Sequence, residues 1–198
     1  MRYDFQVDSA ERLPAPGVVA AAEAAEAAGF RAFWRGETNG RDPVAILGAA
    51  ALRTSRIMLG SSILNVFARS PASAAMAAAT LQELSGGRFL LGLGVGNRNI
   101  ASWHGRSFGS PLRSMEEYVG IVRAALEGGR TSHRGSVHGS YGFRLAFRVP
   151  RVPIYIAALG PRMSELAGRV ADGVLTNLGL VSINHRRCRR EDAADYTW

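Results

Sequence analysis

Few side chains in this sequence could do chemistry, and most of them stand where an apolar run gives way to a turn. Glu37 follows residues 30–35, Asn97 follows the run 89–95, Leu159-Gly160-Pro161 follows 152–158, and Thr176 and Asn177 close 173–177. A carboxamide cannot act as a general acid, but Asn97 could orient a carbonyl. Gly160 permits close backbone approach, and free amides at a helix start favour an anion, with Arg162 and Ser164 nearby. The plain alternative is a turn from strand to helix. For Glu37 the plain alternative is a solvated acid in a loop. His104, His133, His138 and His185 lack metal-ligand spacing, and the one cysteine, Cys188, cannot build a zinc site. No nucleophile elbow or triad pattern occurs. Gly92-Leu93-Gly94-Val95-Gly96 lacks the spacing of a dinucleotide fingerprint and is not followed directly by a helix.

The elements that would position these residues alternate between strand and helix. Tyr3, Phe5 and Val7 alternate with polar residues as a short first strand. Helices are predicted over 18–28, 43–53, 71–84, 111–126 and 161–171, opened by prolines and by the caps Asp42 and Ser70, and closed by glycines. Strands are predicted over 30–35, 56–62, 89–95, 152–158 and 173–177. The run 89–95 is apolar without alternation, as in a strand buried on both faces. Residues 98–110 read as a loop, and 130–151 as irregular with a hairpin strand over 143–147. Helical crossovers imply parallel strands, which leaves an open doubly wound sheet or a (β/α)8 barrel.

Composition narrows the class. The chain has 198 residues, 47% hydrophobic and 20% charged, enough for one soluble domain with a substantial core. No apolar run reaches the roughly 18 residues of a membrane span, and residues 1–9 carry no apolar block, so neither membrane nor secretion is expected. One cysteine points to a reducing, cytoplasmic setting. The net charge is +8, and all 24 basic residues are arginine, which reads as a composition bias. Arg186, Arg187, Arg189 and Arg190 read as a solvated tail, the alternative being a phosphate or nucleic-acid contact. Without interleaved aromatics or a reading motif, no nucleic-acid partner is expected.

Several motifs, in matching order over roughly residues 10–178, resemble the luciferase-like monooxygenase superfamily. Gly29-Phe30 leading to Trp34-Arg35-Gly36-Glu37 resembles its second strand. Leu59-Gly60-Ser61-Ser62-Ile63 with Arg69-Ser70-Pro71 resembles the third, and Leu84-Ser85-Gly86-Gly87-Arg88-Phe89 with residues 91–96 the fourth. Residues 153–161 and Ala171-Asp172-Gly173-Val174 resemble the fifth and sixth. The Ala158-Leu159-Gly160-Pro161 form is most similar to the branch that uses the deazaflavin coenzyme F420, related to methylenetetrahydromethanopterin reductase.

The resemblance implies a TIM barrel, bound F420 (alternatively FMN), and hydride transfer to or from a small organic substrate at the carboxyl ends of the strands. It makes Glu37 a hydrogen-bond partner of ring or substrate, although Thr38 stands where the family often has His. It makes Ser62-Ile63 a non-prolyl cis peptide behind the ring. It puts Asn97 where some relatives carry a proton-donating carboxylate, which favours a reductase or binding role over dehydrogenase chemistry; His104 is a replacement acid, or a surface histidine. It places the cofactor phosphate at Ala158, Leu159, Gly160 and Pro161, with Thr176 and Asn177 lining the pocket.

A barrel of this type takes about 250 residues. Here the match ends after the sixth strand, so the expectation is an incomplete barrel over 1–180, without strands seven and eight, and a polar, disordered tail over 181–198. The open edges would be covered by a partner chain, such as a second copy in a homodimer, or by the tail, or left exposed in an unstable remnant. Two classes follow: an F420-dependent oxidoreductase, with an FMN-dependent monooxygenase as its variant, or a non-catalytic fragment that binds a cofactor or a sibling subunit.

Overall fold

The computed structural model describes residues 3–6 and 13–176. In chain order the elements are β1 (Phe5–Gln6), α1 (Ala15–Ala27), β2 (Ala32–Arg35), α2 (Pro43–Arg53), β3 (Met58–Ser61), β4 (Leu64–Asn65), α3 (Pro71–Leu84) and β5 (Phe89–Gly94). There follow α4 (Arg98–Trp103), α5 (Pro111–Leu126), β6 (Ser132–Arg134), β7 (Gly139–Tyr141), β8 (Ile154–Ala157), α6 (Pro161–Val170) and β9 (Gly173–Leu175). Helix starts follow local chemistry. The Asp42 carboxylate accepts from Ala45 N at 2.9 Å, the Ser70 hydroxyl accepts from Ser73 N at 3.1 Å, and a proline occupies the first turn of both helices.

The main sheet runs β1-β2-β3-β5-β8-β9, every pairing parallel, with β4 adding to β5 beyond the end of β3. It curls as the wall of a half-barrel, so the open-sheet alternative falls to the barrel type. Strand residues divide by the two-residue period. Phe33, Leu59, Phe89, Leu91, Leu93, Ile154 and Ile156 join the helices in the larger core, while Ala32, Trp34, Leu90 and Tyr155 form a smaller cluster on the other face. There Trp34 meets Tyr155 edge-on, centroids 6.1 Å apart.

Three expectations change. Residues 98–110 are not all loop: the Asn97 side chain accepts from Ile100 N at 3.1 Å and starts α4. The hairpin is formed by β6 and β7, not by residues 143–147, which form no strand. Its turn is set by the Glu117 carboxylate, which accepts from the amides of Ser136, Val137 and His138 at 2.9 Å each. The third strand is split, with β3 ending at Ser61 and β4 resuming at Leu64; the Ser62-Ile63 peptide between them is cis, as expected from the resemblance. Asn177 and the tail lie outside the described residues. Among those described, no helix is long and apolar enough to cross a membrane.

Candidate functional site

Parallel strands with helical returns bring their carboxyl ends to one rim, where loops are free to carry function. Glu37 follows β2, Ser62 and Ile63 follow β3, Asn97 follows β5, Ala158 to Pro161 follow β8, and Thr176 follows β9. At about 4.8 Å per strand, β3 to β9 spans roughly 15 Å of rim.

The β2, β3 and β5 ends are tied together. Glu37 N donates to Ile63 O at 3.1 Å, and Ser62 N donates to Arg35 O at 2.8 Å. The Ile63 side chain lies over Gly94: a Cβ built there would come within 2.5 Å of Ile63 Cγ1, so only glycine lets Ile63 lie flat across the β5 end. Neither Glu37 oxygen points to open solvent. Oε2 accepts from Asn65 N at 2.8 Å and Oε1 from Arg69 Nε at 2.7 Å, and the side chain is only 10% exposed. The Arg69 guanidinium also binds Asp42. Burial works to lower the Arg69 pKa, but hydrogen bonds and charge from Glu37 and then Asp42 outweigh it and raise it. Burial likewise opposes the Asp42 charge, yet the Ala45 amide and Arg69 hold its carboxyl below the usual value.

Asn97 is exposed at the rim, and its side-chain oxygen is engaged in capping α4, so what it offers a ligand is its NH2 group. The β8 and β9 ends form a second group. Ala158 N donates to Leu175 O at 3.0 Å, which sets Thr176 beside the turn 158–161. Helix α6 begins after Gly160 with no side-chain cap and with Pro161 in its first turn. The Ser164 hydroxyl donates back to Gly160 O at 3.1 Å. Leu159 is exposed on the same turn.

Sequence reading missed Asn65, Arg69 and Tyr118. Asn65 is fully buried; its Oδ1 accepts from Phe67 N at 2.8 Å and its Nδ2 donates to Val95 O at 3.4 Å. The available signal was charge: Arg69 directly precedes the α3 cap, and the acids Glu37 and Asp42 stand in the loop that must pass it. Among the described residues no group of three or more His, Cys, Asp or Glu is placed to hold a metal ion.

The sequence profile described as luciferase-like monooxygenase matches residues 4–194. The chain is 38% identical over 157 residues to the 5,10-methylenetetrahydromethanopterin reductase of Methanolobus tindarius, covering 79% of this chain and 48% of that protein. It is 38% identical over 154 residues to the enzyme of the same name from Archaeoglobus fulgidus, covering 77% and 46%. The chain thus spans about half the length of these curated relatives. The solved coenzyme F420 dependent tetrahydromethanopterin reductase from Methanopyrus kandleri superposes with a TM-score of 0.80 at 26% identity, over 89% of this chain and 55% of that one.

Proposed function

The chain belongs to the luciferase-like monooxygenase family, and from that premise we propose that it is an F420-dependent oxidoreductase acting on a small organic substrate. The observation that carries this reading is the 38% identity to two 5,10-methylenetetrahydromethanopterin reductases across more than three quarters of the chain. The rim fits such a group. Ile63 lying over Gly94 gives an apolar wall for a flat ring, and the uncapped start of α6 gives amides for a phosphate.

When bound, F420 supplies the hydride chemistry. This chain's residues hold and orient. Ser62 and Ile63 would back the ring, and Ala158, Leu159, Gly160 and Pro161 would take the phosphate, with Thr176 beside them. The Asn97 NH2 would orient a substrate carbonyl by donating to its oxygen; it has no proton to give as an acid, which suits reduction of an activated group better than alcohol oxidation. Glu37 would act from behind the ring wall rather than on the substrate, because its oxygens already serve Asn65 and Arg69.

A second reading, cofactor binding without turnover, is favoured by one observation: the Glu37 oxygens are already engaged by Asn65 and Arg69 and Asn97 is a carboxamide, so neither residue has a proton to give a substrate. The experiment is to add F420 to the purified chain, follow ring fluorescence, and then follow hydride exchange with the reduced cofactor. Saturable binding with exchange supports the oxidoreductase, binding without exchange supports the second reading, and no binding removes both. Light scattering on the same sample reads whether the chain is a homodimer.

A further inference from the structure

We propose that Glu37, Arg69 and Asn65 form a brace that fixes residues 62–66 as the wall behind the cofactor ring, so that Glu37 and Arg69 are positioning residues. The role assigned to the wall rests on the F420 reading above; the brace itself does not. Three ties reach this short segment, and a fourth, from Arg69, holds Glu37 in place. Asn65 N donates to Glu37 Oε2 at 2.8 Å, Glu37 N donates to Ile63 O at 3.1 Å, and Arg69 Nε donates to Glu37 Oε1 at 2.7 Å. The buried Asn65 carboxamide then reaches the β5 end through Val95 O at 3.4 Å.

The Glu37 and Arg69 side chains are 10% and 18% exposed, so water does little to screen the pair. Removing Arg69 would leave the Glu37 carboxylate buried with no cation beside it, and removing the Glu37 charge would leave Arg69 with Asp42 alone, so the brace resists opening. Arg69 is itself anchored on its far side by Asp42, the cap of α2. Its main chain is anchored by the Tyr118 hydroxyl, which donates to Arg69 O at 3.1 Å. Gly36 completes the contact, since a Cβ there would lie 2.7 Å from Ser62 O. The wall is therefore held from β2, β5, α2 and α5 at once. An ångström of play in such a wall is enough to change affinity or rate by about 10²-fold.

Amide hydrogen exchange on the ligand-free full chain tests the brace, and fluorescence titration with F420 tests its consequence. Glu37→Gln keeps the shape but gives up one acceptor, Arg69→Lys keeps the charge but loses the fork that serves two acids, and Arg69→Leu removes both. Exchange at the Asn65 amide is expected to speed up by about tenfold or more in Glu37→Gln, with α1 and α6 within twofold of the parent, and F420 binding to weaken by a similar factor. Arg69→Lys falls between parent and Arg69→Leu. If Arg69→Leu does not fold, the other two variants decide. Unchanged exchange at Asn65 overturns the brace. Faster exchange with F420 affinity within twofold of the parent overturns its role as the ring wall. A parent chain that binds no F420 overturns the cofactor reading and with it the ring wall, and exchange at Asn65 alone then decides whether the brace exists.

Discussion

The Tyr118 hydroxyl donates to the main-chain oxygens of Arg69 and Ser70, at 3.1 and 3.3 Å. Tyr118 is fully buried on α5, so this contact pins α5 to the start of α3 directly behind the ion pair of Arg69 with Glu37. Burial, with the Glu37 charge adding to it, raises the phenol pKa, so the hydroxyl stays a donor at any working pH. Tyr118→Phe removes the one proton shared between these two oxygens and leaves the ring packing intact. It is expected to cost about 1–2 kcal/mol in a denaturant titration and to weaken F420 binding measurably. An unchanged midpoint and affinity would mean that the hydroxyl anchors nothing.

Gly94 is the position where the Ile63 side chain meets β5. Gly94→Ala places a methyl group 2.5 Å from Ile63 Cγ1, so Ile63 must move. The expected loss is about 1–3 kcal/mol of stability, together with weaker F420 binding. Adding Ile63→Ala should recover part of the stability, because the two closest contacts, with Ile63 Cγ1 and Cδ1, are gone. The test is a double-mutant cycle read by thermal unfolding, and additive losses would show that the two residues do not press on each other.

Arg88 ties three elements through its guanidinium. Nη1 donates to Ile57 O at 2.7 Å and Thr54 Oγ1 at 3.1 Å, and Nη2 to Thr54 O at 2.9 Å and Ala51 O at 3.1 Å. It thereby closes the carboxyl end of α2 and fixes the approach to β3, where a cation also suits the helix dipole. Arg88→Lys offers a point charge in place of a fork and is expected to cost about 1.5–3 kcal/mol, read as a lowered denaturant midpoint. A loss no larger than that of a surface Arg→Lys change would contradict this role.

The hairpin responds to acid. Burial works to raise the Glu117 carboxyl, but the amides of His138, Val137 and Ser136 outweigh it and hold it at about 2, against an ordinary value of 4.5. Because the folded value is the lower one, the clamp contributes fully above about pH 4.5 and is lost as pH falls toward 2. His138 acts in the same direction. Burial pushes its imidazole below 6.5, against the Glu117 charge and with the charges of Arg106 and His133, so the unfolded chain takes up the proton first. Its Nε2 pairs with the Ser114 hydroxyl at 2.7 Å. Amide shifts of Val137 and His138, followed from pH 7 to 2, should move with the low Glu117 titration. In Glu117→Gln that step should disappear. A hairpin titrating near 4.5 in the parent would contradict the clamp.

Much of the fold was legible because parallel strands are apolar throughout and their crossovers open with Pro behind a cap, as at Asp42-Pro43 and Ser70-Pro71. The motif Ser85-Gly86-Gly87-Arg88 was legible as a signature, but its reason was not, since the carbonyls Arg88 binds lie 31–37 residues away. The same distance problem hid the site. Glu37 reads as a loop acid until its partners, 28 and 32 residues on, are placed against it. The 132–141 hairpin was missed because its turn is imposed by Glu117 on another element rather than by a local turn sequence. Asn97 was singled out for ligand chemistry, while its oxygen caps a helix too short to show in the periodicity.

The central claim is that the rim of this half-barrel receives a deazaflavin. The most direct measurement is a fluorescence titration of the full chain with F420, with FMN as the comparison ring. Saturable F420 binding is expected, with weaker or absent FMN binding and a loss of F420 affinity in Gly94→Ala. Failure to bind F420, or tighter binding of FMN, would contradict it.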